Sequence, residues 1–340
     1  MAKAKLVVPL HKLEVGPPAA DCFALLIEKT RGLTQAGKPF YSCKFRDAKR
    51  TVSTMIWGDA DLFADCDANW HVGGFYKLRA IFSIHDKYGP QIGVLQIREV
   101  VEADKEDGFA EGDFYERSRF DSEAMFAELL ALAEAEFADA HLKALTLGLL
   151  NEHADKLKQL PATLKNFYPF PGGWLEHTLS VAKNCLLLAD RYRIVYPEMA
   201  PPLNRDIVVS AAILHDIGRI VEYDLPELPG MPVEVSVEGR LFTHITLARD
   251  LIRGEAVKHA ELDRELLMLL EHVVYTHLEI PSWGSPRLPA VPEALILHHA
   301  DDLDAKLEMY VRCLRNDPGS GDFTEPDAVL KRLLWKTRKA

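Results

Sequence analysis

Alternating apolar and polar residues mark the first hundred positions of the chain. Turn-forming residues such as Gly37 and the pair Gly89-Pro90 separate the apolar stretches. Five stretches have the length and alternation of strands: 23–27, 38–47, 51–57, 75–82 and 91–97. A segment of different character, 59–69, lies between the third and the fourth. Five short strands with one such insertion predict a small OB-type β-barrel.

Helical periodicity replaces this alternation after residue 120. Ser122 can cap a first helix, and apolar residues then recur at helical spacing as far as residue 157. Further helices are predicted over 240–258, 263–276 and 292–315, after a proline-rich loop at 224–232 and a short hairpin that reaches Gly239. The pattern predicts a multidomain α and β protein with a barrel domain at 1–101, a charged linker at 102–120, an all-α domain at 121–315, and a tail at 316–340 that contains a short helix.

One predicted helix of the all-α domain ends in two side chains of the kind that bind metal ions. Its apolar residues run up to the adjacent His215 and Asp216, and Gly218 ends it. A buried Asp216 without a partner would cost several kcal/mol, so a positive charge is expected beside it, either a cation or Arg219. A histidine satisfied within the core, next to a capping aspartate, is the alternative that this pair alone leaves open.

Further histidines and an aspartate lie on other segments of the all-α domain. They are His177, His244, His272, His277 and Asp301. Imidazole and carboxylate groups that converge from separate helices make a mixed site suited to Mn, Fe, Zn or Mg. His272 and His277 are five positions apart, about 140° around a regular helix, so at most one faces a given ion unless the helix ends between them.

The order His177, His215-Asp216, Asp301 resembles the signature of the HD-domain metal-dependent phosphohydrolases, which have an all-helical fold. A closer resemblance, over nearly the whole chain, is to the YhaM-type 3'-to-5' exoribonucleases. It is carried by Leu175-Glu176-His177-Thr178, Ile213-Leu214-His215-Asp216-Ile217-Gly218, Glu238-Gly239-Arg240-Leu241, Trp283-Gly284-Ser285-Pro286 and Asp301-Asp302-Leu303-Asp304-Ala305-Lys306. The resemblance implies an OB-fold domain joined to an HD domain. It also implies a hydrolase and nuclease that shortens single-stranded RNA, or single-stranded DNA, from its 3' end and releases nucleoside monophosphates.

A set of metal ligands follows from the same resemblance. His177, His215, Asp216 and Asp301 would hold one divalent ion, and a second would be bridged by Asp216 and bound by His244 with His272 or His277. One or two ions per chain are expected, Mn in the first place, with Mg, Fe, Zn or Co as alternatives. The family reads His-His-Gly where this chain has His277-Leu278-Glu279, so one imidazole is missing from the second group.

Two basic residues near the predicted ligands are candidates for binding phosphate. They are Arg219, which follows Gly218, and Lys183 on the helix of His177, and with His215 and Asp216 they form the predicted catalytic set. Each of the two also fits an ordinary surface cation.

Aromatic and basic residues of the predicted barrel are candidates for binding a single strand through stacking and charge. They are Phe40, Tyr41, Lys44, Arg46, Trp57, Arg79 and Tyr88. Because successive strand residues point to opposite faces, about half of the aromatic ones would instead belong to the barrel core. The net charge of −11 is uneven, since residues 1–100 carry 14 Lys+Arg against 10 Asp+Glu, a balance of +4. The basic part of the chain is therefore the barrel.

Composition narrows the class of protein further. With 340 residues and 48% hydrophobic content, the chain can form two cores. No apolar run reaches the roughly 20 residues that cross a bilayer, and the apolar part of the N-terminus is too short for a signal peptide, so we expect a cytoplasmic protein without a membrane partner. Five widely spaced cysteines without a CxxC pair argue against a disulfide framework and a thiolate zinc site.

Two other functions remain open at this point. One is an HD-domain phosphohydrolase or phosphodiesterase of small nucleotides, in which the barrel only regulates or oligomerises. The other is a non-catalytic single-strand-binding protein, which the missing imidazole at Leu278 favours. The apolar tail also allows a homo-oligomer.

Overall fold

The computed structural model describes residues 7–228, 230–280, 285–317, 319–327 and 329–336. The chain forms two compact units. The first, the barrel unit, comprises Met1–Glu116 with Pro226–Pro232, and the second, the helical unit, comprises Arg117–Leu225 with Val233–Ala340. This agrees with the predicted fold class, a small β-barrel followed by a helical bundle. Two residues of one quoted motif, Trp283 and Gly284, lie outside the described residues.

Five strands form the barrel, and their edges close on one another. They are β1 (Gly16–Leu33), β2 (Pro39–Arg46), β3 (Thr51–Trp57), β4 (Phe75–His85) and β5 (Gly89–Glu99). Their order is β1-β2-β3-β5-β4, and β4 pairs with β1 to close the sheet. One helix, α1 (Phe63–Asn69), lies between β3 and β4, where the sequence breaks its alternation. Alternate residues, among them Phe45, Val52 and Leu78, fill the interior because strand side chains alternate between faces.

The segment predicted as a charged linker packs with the barrel. It contains two 3-10 helices, Glu102–Lys105 and Glu111–Asp113. Phe109 and Phe114 are buried in a cluster with Phe23 and Leu25 of β1. Apolar side chains thus hold much of the predicted linker in the barrel unit, although its composition is mainly charged.

Ten helices and a two-stranded hairpin make up the described part of the helical unit. The helices are α2 (Ser122–Glu136), α3 (Ala140–Glu152), α4 (Ala154–Leu157), α5 (Gly173–Val195), α6 (Arg205–Leu214), α7 (Arg219–Glu222), α8 (Val237–Leu241), α9 (His244–Ala256), α10 (Arg264–Thr276) and α11 (Pro292–Asn316). The hairpin pairs β6 (Tyr223–Asp224) with β7 (Glu234–Val235). Helix α6 is central, since all its residues from Ile207 to Leu214 are buried. It contacts α2, α3, α5, α10 and α11.

Side-chain caps fix where the key helices begin. Asn204 accepts a hydrogen bond from the backbone N–H of Ile207 and so caps α6. At α2 the cap is Asp121, which accepts from Ala124, and the predicted cap Ser122 is the first helical residue. Because the cap fixes where α6 begins, it helps to place His215 and Asp216, at the other end of the helix, at the centre of the unit.

The described residues of the tail differ from the short helix that the sequence predicts. Phe323 pairs with Trp335 in an antiparallel bridge, and the N–H of Thr324 donates to Leu334 at 2.9 Å. Asp327 accepts hydrogen bonds from the backbone of Val329 and Leu330. None of the described helices is long and apolar enough to cross a membrane.

Candidate metal centre

His215 and Asp216 lie at the C-terminal end of α6, at the centre of the helical unit. Both are buried, with exposed fractions of 1% and 3%. The Nδ1–H of His215 donates to the carbonyl of Ala212 at 2.9 Å, one turn back on the helix. This bond fixes the tautomer of a neutral ring and leaves the Nε2 lone pair free to bind an ion. The indole N–H of Trp174 donates to the carbonyl of Asp216 at 3.0 Å and holds the backbone of the pair.

His177 faces this pair from α5. Its Nε2 lies 3.3 Å from His215 Nε2 and 3.1 Å from Asp301 Oδ1 on α11. Its Nδ1–H donates to Asp304 Oδ2 at 2.8 Å, and Asp304 also accepts from the hydroxyl of Ser180. Ligand atoms of His177, His215 and Asp216 all lie within 4.8 Å of one another. We call these three residues, with Asp301, the first ligand group.

A second ligand group shares Asp216 with the first. Ligand atoms of Asp216, His244 and His277 again lie within 4.8 Å of one another, and His244 Nε2 is 3.2 Å from Asp216 Oδ1. The Nδ1–H of His277 donates to the carbonyl of Val274 at 2.7 Å, so its Nε2 is also available. His277 Nε2 is 4.0 Å from Asp301 Oδ2, which brings the two groups next to each other.

These residues fit a divalent cation. Within the described part of the chain, Asp216 Oδ1 and His244 Nε2 are buried and have no hydrogen-bond partner, and such atoms are costly unless something binds them. The carboxylates of Asp216, Asp301, Asp304 and Glu222 are all mostly buried around the cluster. Arg219 contacts only two of them, so the group is net negative when its histidines are neutral. Imidazole nitrogens and carboxylate oxygens together suit Mn, Fe or Zn.

The pKa values of the ligands favour the same conclusion. Burial raises the pKa of Asp301, but the hydrogen bond with His177 and the nearby imidazoles of His215 and His277 together outweigh burial and hold the pKa at about 2. Burial, followed by the neighbouring His215, lowers the pKa of His277 to about 4, so this ring is neutral. Burial alone would lower the pKa of His177, but Asp301 and Asp304 raise it to about 10. The carboxylates therefore favour a positive charge where the ligand atoms meet.

Arg219 stabilises Asp216 within the helical unit. Its Nε lies 3.5 Å from Asp216 Oδ2, and its Nη1 donates to Glu222 at 2.5 Å and to the hydroxyl of Tyr223 at 2.9 Å. Burial opposes the charge on Asp216, but Arg219 and then His244 keep the pKa of this carboxyl well below its usual range. The side chain of Arg219 is only 12% exposed. Its contacts fit the positive partner that the buried aspartate requires.

Two of the sequence-predicted residues lie apart from the ligand groups. His272 is half-buried, and its Nε2 accepts the backbone N–H of Ala290 at 3.0 Å. The Nζ of Lys183 pairs with Glu128 of α2 at 2.6 Å. The end of α10 thus brings His277, and not His272, to Asp216.

The predicted strand-binding residues divide between the two faces of the barrel. Tyr41 points inward, is 6% exposed, and its hydroxyl donates to Asp67, so it belongs to the core. Trp57 and Tyr88 are 47% and 61% exposed, and the rings of Phe40 and Trp57 lie 5.6 Å apart. The predicted cations have partners within the barrel unit: Lys44 with Glu28 at 2.7 Å, Arg79 with Asp21 at 2.8 Å, and Arg46 with the carbonyl of Asp47 at 3.3 Å.

The sequence assigned no role to two carboxylates of the centre. Asp304 orients His177, and Glu222 lies 3.7 Å from His244 Nδ1. The rings of Phe167 and Tyr168 lie 5.0 and 5.7 Å from that of His177. The spacing of Asp304, three positions after Asp301 on a helix, is the one signal that placed it on the same face.

The comparison with protein families agrees with this geometry. The family model of the HD domain matches residues 174–306, a range that contains both ligand groups. HD domains are generally metal-dependent phosphohydrolases, and the match indicates that class for this protein. Among solved structures, the chain is similar to the second OB-fold domain of replication protein A from Methanococcus maripaludis, with 13% sequence identity and a TM-score of 0.22. The similarity covers 28% of this chain and 94% of that domain.

Proposed function

We propose that this protein is a metal-dependent 3'-to-5' exonuclease that hydrolyses the phosphodiester bonds of single-stranded RNA, or single-stranded DNA, to nucleoside monophosphates. The observation that carries the proposal is the pair of ligand groups that meet at Asp216. Two adjacent groups of this kind suit attack by water on a phosphoryl centre, because both the attacking and the leaving oxygen need stabilisation. The 3'-to-5' direction of degradation and the preference for RNA rest on the resemblance to YhaM-type enzymes.

Each residue of the centre has a part in this proposal. His177, His215, Asp216 and Asp301 would hold a first ion, and Asp216, His244 and His277 a second. Bound divalent ions would supply a water of low pKa and positive charge for the phosphoryl oxygens. Asp304 and the carbonyls of Ala212 and Val274 fix the tautomers of His177, His215 and His277, so that each of these three rings presents Nε2. Arg219 would orient Asp216. Its contact with a phosphate of the substrate stays a prediction.

The barrel supports a polymer substrate. The ring of Phe40 lies across Gly32 of β1, where a Cβ atom would come within 2.5 Å of its Cζ. Trp57 lies beside it on β3 and is half exposed. Two neighbouring rings on the outer face offer a surface on which bases can stack. We propose that the barrel binds the strand that the helical unit hydrolyses.

A gel assay with labelled strands tests the proposal. Metal-free protein is incubated with Mn²⁺ and 5'-labelled single-stranded RNA or DNA, beside Asp216→Ala and Asp302→Asn. Asp302 lies on α11 next to Asp301 but pairs with Lys306 at 2.7 Å, so its substitution controls for a change on that helix. We expect a ladder that shortens from the 3' end with the wild type and with Asp302→Asn, and none with Asp216→Ala. Intact strands with all three proteins, although the wild type binds them, would refute the exonuclease activity.

Salt separates a polymer substrate from a small nucleotide. Contacts with the strand backbone release counterions, so cleavage of RNA should weaken steeply between 50 and 200 mM salt. Hydrolysis of a small phosphodiester at the same metal centre should change little. If both rates respond equally to salt, the barrel does not bind the strand in the way we propose.

A further inference from the structure

Glu279, just after α10, has a backbone conformation that is unusual for a glutamate. The helix ends at Thr276, His277 follows as its cap, and Glu279 has φ = 59°. This left-handed conformation is common after a helix, but glycine usually occupies it because a side chain costs about 1 kcal/mol or more there. The N–H of Glu279 donates to the carbonyl of Thr276 at 2.9 Å, which closes the helix end. The free-energy cost of this conformation at Glu279 must be offset by a favourable contact.

His298 of α11 supplies that contact. Its Nε2 lies 3.0 Å from Glu279 Oε2, and its Nδ1–H donates to the backbone carbonyl of His277 at 2.8 Å. The imidazole is buried, with an exposed fraction of 6%. One side chain therefore binds both the ligand residue itself and the carboxylate two positions further along the chain.

The same helix also contributes a ligand of the first group. His298 and Asp301 are three positions apart on α11, so they lie on one face. The ring of His277 is fixed relative to its own helix by the bond with Val274. The bond from His298 joins the end of that helix to α11, the helix that carries Asp301.

We propose that Glu279 and His298 are positioning residues that hold His277 in place for the second ion. The inference rests on the two-ion part of the proposed function. A metal ligand must be held to within a fraction of an ångström, and loss of an outer hydrogen bond typically costs 10–100-fold in metal affinity. The contact between His298 and Glu279 lies where the YhaM-type pattern has a second histidine and a glycine.

Calorimetric titration of metal-free protein with Mn²⁺ tests this inference without any substrate. His298→Gln keeps a donor near Nε2, for Glu279, but loses the donor to His277. His298→Asn keeps a donor near Nδ1, for His277. We expect His298→Gln to weaken the second ion 10–100-fold and to leave the first within threefold, while His298→Asn weakens the second ion less. His299→Gln, at the neighbouring exposed residue, is the matched control.

A second variant separates positioning from stability. Glu279→Gly relieves the left-handed backbone but removes the acceptor of His298, so we expect an unchanged or higher Tm together with weaker binding of the second ion. Two ions bound by the wild type with unchanged affinities in His298→Gln and Glu279→Gly would overturn the positioning role alone. A single ion per wild-type chain would overturn the two-ion proposal, and this inference with it.

Discussion

Asp304 offers a sharp test of how the first ligand group works. It binds no ion in the proposed arrangement, yet it accepts the Nδ1–H of His177 at 2.8 Å and the hydroxyl of Ser180, with its side chain 9% exposed. Asp304→Asn preserves the shape and removes the charge. The amide can still accept from one of the two donors, so the fold should survive while His177 becomes a weaker base.

The magnitude follows from the bond that is changed. A hydrogen bond to a charged group contributes roughly 1.5–3 kcal/mol. Outer-sphere substitutions at metal sites cost about 10–100-fold in affinity, or roughly 1.4–2.7 kcal/mol. Both ranges centre near 2 kcal/mol, so we expect the first ion to bind about thirtyfold more weakly in Asp304→Asn.

Titration of the metal-free proteins with Mn²⁺ measures this change directly. The control is Asp302→Asn, which alters a carboxylate of the same helix that pairs with Lys306 instead of a histidine. Far-UV circular dichroism checks that the helical content of each variant is unchanged. Affinity for the first ion within threefold of the wild type in Asp304→Asn would refute the claim that this carboxylate supports His177 as a ligand.

Three other predictions concern the barrel and the metal. Trp57→Ala should weaken single-stranded RNA binding by about 1–3 kcal/mol, while Trp335→Ala should not, and equal losses in a filter-binding assay would contradict a stacking role. Hydrogen bonds from Arg98 hold the pKa of Asp104 well below its usual range, so this carboxylate stabilises the native state above about pH 4 and less as pH falls below it. Asp104→Asn should cost roughly 2 kcal/mol at pH 7 in denaturant unfolding, and a difference that does not shrink below pH 4 would argue against this origin. Chelation of the ions should lower the Tm by the equivalent of about 2.7 kcal/mol per ion that was present at 100 times its Kd, and Mn²⁺ should restore it.

The local pattern of apolar and polar residues predicted much of the fold of this protein. Alternation along β2 to β5 predicted a barrel because a strand with one buried face needs apolar residues at every second position. The largely apolar α6 predicted a central helix because a helix without a polar face is buried on most sides. His215 and Asp216 at its end predicted a metal site only together with the histidines on other helices, since a buried carboxylate requires either a cation or a positively charged partner such as Arg219.

Other features depended on contacts between distant parts of the chain. Periodicity showed that at most one of His272 and His277 would face an ion, but only the packing of α10 selected His277. The direction of Tyr41 depended on the strand register, which the alternation of β2 alone did not resolve. Asp304 lies in the motif at 301–306, but the sequence pattern gave it no role.

The physical reason is the range of the interactions. Helix and strand periods report which residues share a face, because they reflect burial along one element at a time. The tautomers of His215 and His277 are fixed by local bonds, but the contacts that bring the ligands together join residues far apart in sequence, as with His177 and Asp304, 127 positions apart. Such pairs exist only after α5, α6, α10 and α11 have packed, so the tertiary structure alone decided which histidines converge and which carboxylates orient them.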